Sequence, residues 1–442
     1  MADAPTNFAA LSGDYISAYI TRELLERADR QIVLSQASKK YTLPQRMSKT
    51  LRVVRYNRLN LPTSTLTEGT PPDAVALSVG TKEVTVEQWG IVVLLTDIAA
   101  ITTSHPALAQ AIEVTSLAME EVLERERANM LMAGLTQVYY PSAVTARSGL
   151  AATDKMTSTV IGKALSALQQ LGAKPFEDGL FYGFMTPQQQ NDVILSDTMF
   201  QNASNFSRVR KLEYAEIGEW IGAKWFRSNY LPTYKGAAVP IVAGAVDATT
   251  FKGTITAVDG GGTIGSAANF KFGIVFKDKT TGIERWVSGP SANIASAATG
   301  DNESFTVTVS ATNLTNYVYD VYMTASGGAG SLFLVKSNQT ATTSTITAVP
   351  AGTEATMPVA PNPTGAVETF NAFLFGRNCW GEVELSGMSL QSYLTPDSAS
   401  YSNPLAQGRK AGAKIAWKSF ILDANFGCRI ETGSTFSANL PA

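Results

Sequence analysis

Apolar residues recur at helical spacing near the start of the chain. Ile16, Ile20 and Leu24 lie four residues apart and predict a helix over residues 14–37. Charged residues at the same spacing support it on another face, namely Glu23 with Arg27 and Glu26 with Arg30. An apolar stripe on such an N-terminal arm, residues 1–50, needs a groove on this chain or on a neighbouring copy.

The pattern changes to that of strands over residues 51–95. Residues 51–56 predict one strand, and residues 84–95, with Val84, Val86, Trp89 and Ile91, predict a second. The stretch between them is rich in Pro, Thr and Gly and is too long for a tight hairpin. We therefore predict an extended two-stranded loop, which is only marginally stable alone in water and needs a surface to lie on.

A long helix is predicted over residues 104–135. Ser104 is a suitable N-cap, and Pro106 falls in the first turn, where proline is tolerated. One stripe is apolar and the remaining faces carry Glu and Arg. At about 1.5 Å per residue this helix spans roughly 45 Å. Shorter elements follow: helices over 156–171 and 187–195, with a buried strand over 181–185 between them. Residues 212–225 mix helix and strand signals, and both remain open.

The composition shifts at about residue 238. Residues 238–365 contain 21 Thr and 15 Gly but only 6 Lys or Arg and 8 Asp or Glu. Strand-like runs separated by turn signals follow one another at 270–277, 284–287, 305–309, 318–324, 331–335 and 343–349. This spacing predicts an inserted all-β sandwich, closed by a proline-rich linker at Pro350, Pro358, Pro361 and Pro363. Strands are predicted again at 370–375, 413–420 and 427–431.

Composition narrows the possible functions. Charged residues make up 16% of the chain, against about 25% in ordinary soluble proteins. Either neighbouring copies cover much of the surface, or uncharged polar groups solvate it, and both interpretations remain open. The net charge of −2 does not favour strong attraction to nucleic acid. The chain has no signal-peptide pattern and no apolar run of membrane-spanning length, so we expect a soluble cytoplasmic product.

Residues that carry catalytic chemistry are scarce. The single histidine, His105, excludes His-dependent triads and multi-histidine metal sites, and a structural role is expected for it. Cys379 and Cys428 have no metal or redox spacing and are expected to be buried thiols. Residues 260–265 match the G-x-G-x-x-G pattern, but a strand follows them, so a turn is expected rather than a dinucleotide site. We predict no enzyme activity, no catalytic residue, no cofactor and no metal.

Arginine recurs every third residue around Tyr56, at Arg52, Arg55 and Arg58. Basic groups interleaved with an aromatic side chain suit nucleic-acid binding. Because the charges outside residues 238–365 balance, we favour the alternative that these arginines pair with acidic groups on an adjacent copy.

Six short segments together resemble the major capsid proteins of phages similar to coliphage N-four. They are Arg-Tyr-Asn at 55–57, Leu-Thr-Glu-Gly-Thr-Pro at 66–71, Val-Thr-Val-Glu-Gln-Trp-Gly at 84–90, Leu-Thr-Asp at 95–97, Phe-Gly-Arg at 375–377 and Lys-Ile-Ala-Trp-Lys at 414–418. The resemblance covers roughly residues 14–234 and 368–432 and does not extend to the segment between them.

This resemblance implies an α+β fold of the Hong Kong 97 type. The domains expected from it are an N-terminal arm (1–50), an extended loop (51–95), a peripheral domain with a long spine helix (96–150) and an axial domain in two parts (151–237 and 366–404). Residues 405–442 would return as strands to the peripheral domain. Residues 238–365 are expected to form an inserted immunoglobulin-like β-sandwich, which either binds glycans, stabilises a shell or is merely tolerated.

The function implied is that of a major capsid protein that self-assembles through hexamers and pentamers into the icosahedral head of a tailed phage. Expected partners are further copies, scaffolding, portal and decoration proteins, and double-stranded DNA bound without sequence specificity, with no membrane. The expected location is the virion, after assembly in the host cytoplasm. Alternatives are an encapsulin-like compartment and a carbohydrate-binding surface protein. The predicted interface residues are Tyr56, Asn57, Thr67, Glu68, Gly69, Glu87, Gln88 and Trp89.

Overall fold

A computed structural model describes most of the chain. The described residues are 32–46, 48–56, 59, 65, 75–96, 107–197, 216–242, 246, 249–265, 268–296, 302–325, 327–361, 367–394 and 408–436. The chain divides into two compact units, each treated separately below. The first comprises residues 1–28, 38–120 and 380–423, and the second comprises 29–37, 121–379 and 424–442.

Three α-helices lie in the described ranges: α1 (Ala107–Gly134), α2 (Ser158–Gln170) and α3 (Pro187–Ser196). They confirm the three predicted helices after residue 100, with ends within about three residues. The helix predicted over 14–37 falls mostly outside the described residues; its last part is a 3₁₀ turn, Leu34–Ala37. At α3, Thr186 accepts a hydrogen bond from Gln189 N–H, and Gln189 accepts one from Thr186 N–H. This reciprocal cap, with Pro187 in the first turn, explains why α3 begins there.

Strands make up most of the remaining described structure. In chain order the first twelve are β1 (Lys39–Leu43), β2 (Thr50–Tyr56), β3 (Val79–Thr85), β4 (Glu87–Thr96), β5 (Val138–Tyr139), β6 (Phe181–Met185), β7 (Glu216–Trp220), β8 (Ala223–Arg227), β9 (Thr233–Gly236), β10 (Gly253–Val258), β11 (Asn269–Phe270) and β12 (Phe272–Asp278). The others are β13 (Glu284–Ser288), β14 (Ile294–Ala295), β15 (Ser304–Val309), β16 (Tyr317–Thr324), β17 (Leu332–Gln339), β18 (Thr343–Ile346), β19 (Glu368–Phe375), β20 (Trp380–Leu385), β21 (Gln391–Leu394), β22 (Gly408–Ile421) and β23 (Gly427–Thr432). Of the segment 212–225, whose signals are mixed, the described part contains strands β7 and β8, and residues 212–215 lie outside the described ranges.

In the first unit, the fourteen-residue strand β22 is the centre of a five-stranded sheet. Strand β4 pairs antiparallel along one edge of β22, while β20 and β21 pair with successive parts of the other edge. Strand β1 adds to β20 in parallel. A separate antiparallel hairpin, β2–β3, packs on one face of this sheet.

The predicted pairing of the extended loop was wrong in one respect. The sequence pattern predicts a single strand over 84–95 that partners residues 51–56. Instead β3, which ends at Thr85, partners β2, and β4 pairs with β22 some three hundred residues later in the chain. The chain changes partner at Val86, whose N–H donates to the carbonyl of Lys49 at 2.9 Å.

The second unit contains an eleven-stranded sheet that forks at β19. All eight residues of β19 are buried, as expected for a strand covered on both faces. One edge of β19 pairs with β23, which pairs in turn with β5. Along the other edge, residues 368–370 pair with β9 and residues 373–375 pair with β6. One branch continues as β6–β8–β7 and the other as β9–β13–β12–β16–β17.

Helix α2 covers one face of the first branch. Its buried positions recur at helical spacing and pack against β6, β8, β19 and β23. The helix residues that do so are Val160, Ile161, Ala164, Leu165 and Leu168. Because β6 has Gly183 where the indole of Trp225 on β8 crosses it, the two strands can pack with the large ring between them and the helix.

The second branch contains two packed layers of strands within residues 238–365, and we call it the sandwich branch. Its strands confirm the predicted strand runs, and the sheet β10–β15–β18 faces β12 and β16 across a shared apolar core. The glycine run at 260–265 is a turn followed by strand, as predicted. Gly260 and Gly261 have positive φ, and a Cβ on Gly262 would overlap the carbonyl oxygen of Glu303.

The sandwich is joined directly to the rest of the second unit. Strand β13 pairs in parallel with β9, and the join carries an ionic cluster in which Arg285 binds Glu368 on β19 at 2.5 Å and Thr233 on β9 at 2.7 Å. The predicted closing linker is also wrong where it is described. Met357 N–H donates to the carbonyl of Leu332 on β17, so this segment packs along the sheet.

A second buried ionic cluster ties β23 to the loop before α2. The guanidinium of Arg147 donates to both carboxylate oxygens of Glu431, at 2.6 and 2.9 Å, and stacks 4.6 Å from the ring centre of Tyr234. The guanidinium of Arg429 lies 2.8 Å from the same carboxylate. Burial by itself raises the pKa of Glu431, but the hydrogen bonds and charge of Arg147 outweigh it and hold that pKa below its usual value.

Candidate assembly surface

The β2–β3 hairpin has two chemically different faces. Cross-strand partners in a sheet share a face, so the register assigns each residue to one of them. Leu51, Val53 and Val84 face inward and pack against a cluster that includes Val383 and Phe420 of the first unit's sheet. These contacts hold the base of the hairpin on its own chain.

The outward face of the hairpin changes from polar to apolar toward its tip. At the base, Thr50 and Thr85 hydroxyls bond at 3.0 Å, and Arg52 pairs with Glu83. Toward the tip, the exposed fractions are 54% for Val54, 69% for Tyr56 and 48% for Val79. Leu59, Val75 and Leu77, just beyond the paired strands, are exposed as well. We call Val54, Tyr56, Leu59, Val75, Leu77 and Val79 the hairpin tip. Contiguous exposed apolar side chains of this kind mark a surface that meets another molecule.

The arginines near Tyr56 are occupied within the chain. Arg52 pairs with Glu83 across the hairpin, and Arg55 pairs with Asp423. Our prediction that they pair with acidic residues was therefore right in kind but wrong about the partner, since both partners lie in the same copy. Arg58 lies outside the described residues.

The predicted interface residues fall into separate places. Tyr56 belongs to the hairpin tip. Glu87, Gln88 and Trp89 lie on β4, where Trp89 is half-buried and pairs with Ile415 of β22. Glu87 also bonds Lys418 at 2.8 Å, so these three residues contribute to the sheet of their own unit. Asn57, Thr67, Glu68 and Gly69 lie outside the described ranges and remain predictions.

A second exposed apolar patch was missed. In the five-stranded sheet, Val92 of β4 and Tyr393 of β21 both pair with Gly412 of β22 and flank it on the same face. Their exposed fractions are 65% and 51%. The two residues come together only through β22, so no local sequence signal could have joined them. Residues 408–414, Gly-Arg-Lys-Ala-Gly-Ala-Lys, are all small or basic, and these small residues are the only hint in the sequence of a shallow strand face.

The described part of the N-terminal arm is anchored on the second half of α1. The carboxylate of Glu124 accepts the backbone N–H groups of Val33 and Leu34 at 2.9 and 2.8 Å, and a hydrogen bond from Arg127 at 3.2 Å. Burial raises the pKa of Glu124 above its usual value, although Arg127 and both N–H groups act against this. This anchor fixes the point from which the preceding segment of the arm departs.

Features of an enzyme site are few in the residues that the structure describes. They contain no cluster of three or more His, Cys, Asp or Glu able to hold a metal ion. Cys379 and Cys428 are buried free thiols, and burial raises the pKa of Cys428 well above its usual value. His105 lies outside the described ranges. Among the described helices, none is both long and apolar enough to cross a membrane.

One cleft of about 510 Å³ opens on the second unit beside the β12–β13 loop and the start of α3. Its lining includes Ser228, Asn229, Thr280 and Thr281, and its two charged residues already have partners. Arg285 binds Glu368, while Asp278 accepts the N–H groups of the loop that follows it. The cleft therefore presents apolar side chains together with neutral hydroxyl and amide groups.

Comparison with known proteins gives matches at the level of structure. No family model matches the chain, and no curated protein matches its sequence. The capsid protein of Ralstonia phage GP4 is similar to it with a TM-score of 0.51 and 11% identity, covering 97% of this chain and 98% of that one. The cyanophage Pam1 capsid protein gives a TM-score of 0.51 and 12% identity, covering 99% and 100%.

The chain has the fold of phage capsid proteins. The capsid of cyanophage P-SCSP1u gives the same result, with a TM-score of 0.50 and 12% identity over 96% of this chain and 94% of that one. These matches extend over almost the whole length of both partners in each comparison. The α+β class predicted from the sequence is confirmed.

Proposed function

We propose that this chain is the major capsid protein of a tailed phage, which assembles into the icosahedral head that encloses double-stranded DNA. The observation that carries the proposal is the match to phage capsid proteins over nearly the whole chain. Exposed apolar surface on a hairpin whose base is fixed to its own sheet fits that function. A shell subunit must combine a rigid body with surfaces that are completed only by sister copies.

The finer assignments follow the Hong Kong 97-type arrangement implied by the sequence. Helix α1 would be the spine helix, the β2–β3 hairpin the base of the extended loop, and residues 1–50 the arm. Hexamers and pentamers would form through the axial domain, with an immunoglobulin-like sandwich added to it. Scaffolding, portal and decoration proteins are the further partners, and the finished protein resides in the virion after assembly in the host cytoplasm.

The hairpin tip supplies the contact that we expect to be indispensable. Burying one Val or Tyr side chain contributes roughly 1.5–3 kcal/mol, and a shell repeats each contact in every copy. A small loss of contact free energy in each subunit is therefore multiplied by the number of subunits in the particle. The tip is also a better target than Trp89, because Trp89 pairs within its own sheet and its replacement would disturb folding as well.

The test is a variant carrying Val54→Thr, Tyr56→Thr and Val79→Thr, which keeps β-branched residues in both strands while removing apolar surface. We expect the wild-type protein to form closed particles tens of nanometres across by negative-stain microscopy, and the variant to stay as folded, soluble subunits by circular dichroism and size-exclusion chromatography. Val258→Thr, at an exposed position on β10, is the matched control and should assemble normally. Normal particles from the triple variant would refute the role of the tip.

Absence of particles from the wild-type protein, alone and with its scaffolding partner, would count against a capsid function altogether. The contents of particles formed during infection separate the two kinds of shell. Packaged DNA supports the phage head, whereas a captured enzyme would favour an encapsulin-like compartment.

A further inference from the structure

Three ionisable side chains lie side by side on one face of the sandwich branch. Lys277 on β12 stands directly opposite Glu284 on β13. On the other side of β12, Asp320 of β16 stands opposite Val275, two residues before Lys277. Cross-strand partners share a face, and diagonal neighbours two residues away are within reach of a long side chain. Lys277 is therefore flanked on the two neighbouring strands by Glu284 and Asp320, and its amine contacts the carboxyl group of Asp320.

The amine and one carboxyl group are in direct contact. Nζ of Lys277 lies against Oδ2 of Asp320, and the other oxygen, Oδ1, accepts the backbone N–H of Asn338 at 2.8 Å. Asp320 is fully buried. Asn338 thus holds the carboxyl group in one orientation, with its second oxygen turned to the amine. Such fixed placement is what converts a reaction between two groups into a fast intramolecular one.

The surroundings of this pair are apolar and aromatic. Val275 and Tyr322, each two residues from a member of the pair on the same strand, belong to a buried cluster with Val287 and Tyr234. The side chain of Lys277 keeps 20% of its surface exposed, whereas the carboxyl group of Asp320 is fully buried. Condensation of the two groups requires the neutral amine and the neutral acid.

We propose that Lys277 and Asp320 condense into an intramolecular isopeptide bond, with Glu284 as the proton carrier. The bond would link the adjacent strands β12 and β16 through their side chains. This modification does not depend on the proposed capsid function, because it requires only the folded sandwich branch.

The chemistry balances without any added reagent. Transfer of one proton from the ammonium of Lys277 to the carboxylate of Asp320 gives a neutral amine and a neutral acid. The nitrogen lone pair then attacks Cγ of Asp320, a C–N bond forms, and the C–O bond to the hydroxyl breaks. Glu284, in its protonated form, takes up the proton that the nitrogen loses and gives its own to the departing hydroxyl, which leaves as water.

Glu284 has the environment that this role needs. Burial raises its pKa, and the negative charge of Asp320 acts in the same direction, although Lys277 and Arg147 oppose it. A raised pKa lets a carboxyl group keep its proton to a higher pH than usual, so that it can serve first as a donor and then as an acceptor. The alternative is that Lys277 and Asp320 remain an ordinary buried ion pair, with no bond formed.

Intact-mass measurement of the denatured full-length protein decides between these outcomes. The bonded protein is lighter by one water molecule than its sequence requires, and digestion should yield a branched peptide that joins the segments around Lys277 and Asp320. A folded wild-type protein with the full mass overturns the proposal. Lys277→Met and Asp320→Ala should each restore the full mass, and a water deficit that persists in either variant would also overturn it.

Two further variants control the test. Lys336→Met removes a lysine on the neighbouring strand β17 and should leave the mass deficit of one water molecule unchanged. Glu284→Gln keeps the size of the side chain but cannot exchange a proton, so we expect a folded protein with the full mass. If Glu284→Gln forms the bond to the same extent as the wild type, the role assigned to Glu284 is refuted while the bond itself stands.

Discussion

The buried cluster around Glu431 allows a prediction with a defined size and a defined pH dependence. Replacing Arg147 with Met keeps most of the side-chain volume but removes two hydrogen bonds, of 2.6 and 2.9 Å, to a carboxylate that has no exposed surface. Breaking a buried pair by removing one partner costs roughly 3–5 kcal/mol, because the remaining charge is left inadequately compensated. Arg429 still lies 2.8 Å from Glu431, so we expect the lower end, about 3 kcal/mol.

The pH dependence follows from the direction of the pKa shift. In the wild type, Glu431 has a folded-state pKa below its unfolded value, so its stabilising contribution is present above the unfolded pKa and is lost as the pH falls through the folded one. Without Arg147, burial dominates and the folded-state pKa rises. Glu431 then binds a proton more tightly in the folded protein than in the unfolded one. The loss of stability of the variant relative to the wild type should therefore be largest at neutral pH and should shrink below about pH 5.

Chemical unfolding of soluble subunits, followed by fluorescence at a series of pH values, measures both effects. Arg377→Met is the matched control, because Arg377 pairs with Glu177 at 3.4 Å on the exposed surface of the same unit. An exposed ion pair of this kind contributes about 0–1 kcal/mol to the free energy of unfolding. A loss for Arg147→Met no larger than that of the control, or a deficit that does not shrink in acid, would refute the reasoning.

Two further predictions concern packing and the N-terminal anchor. Gly183→Ala should destabilise the second unit by about 1–3 kcal/mol, because a Cβ there would lie 2.7 Å from Cδ2 of Trp225. The control Gly162→Ala, which has open space in α2, should be neutral or stabilise by up to about 1 kcal/mol. Equal shifts of the melting temperature in the two variants would contradict this prediction. Glu124→Ala should leave the buried N–H of Val33 without its acceptor, at a cost of about 1–3 kcal/mol, and should speed the hydrogen exchange of that N–H. Glu124→Gln should retain most of the protection from exchange. Equal exchange rates in both variants would contradict the role of Glu124 as the anchor of the arm.

Local signals explain which elements could be predicted from the sequence. Helix α3 has Pro187 in its first turn and a reciprocal cap from Thr186 and Gln189, all within four residues. The glycine run at 260–265 could be assigned to a turn because the residues after it alternate as a strand does. In each case the residues that determine the structure are neighbours along the chain.

Pairings between distant residues could not be read in this way. Nothing near Val86 signals that β3 and β4 part there, because the partner of β4 lies in β22, more than three hundred residues away. The same holds for the patch formed by Val92 and Tyr393. Tyr56 was identified through the family resemblance, but the apolar character of the whole hairpin tip became evident only from which hairpin face packs on the sheet.

The fork at β19 has a mechanical consequence. Since β9 and β6 occupy successive parts of the same edge, the sandwich branch is attached through backbone hydrogen bonds and the Arg285–Glu368 pair. Force applied to its outermost strand would pass from strand to strand into β19 through the two paired positions that join β13 to β9. In the shell proposed above, such an appendage would act as a brace that stiffens the wall against internal pressure.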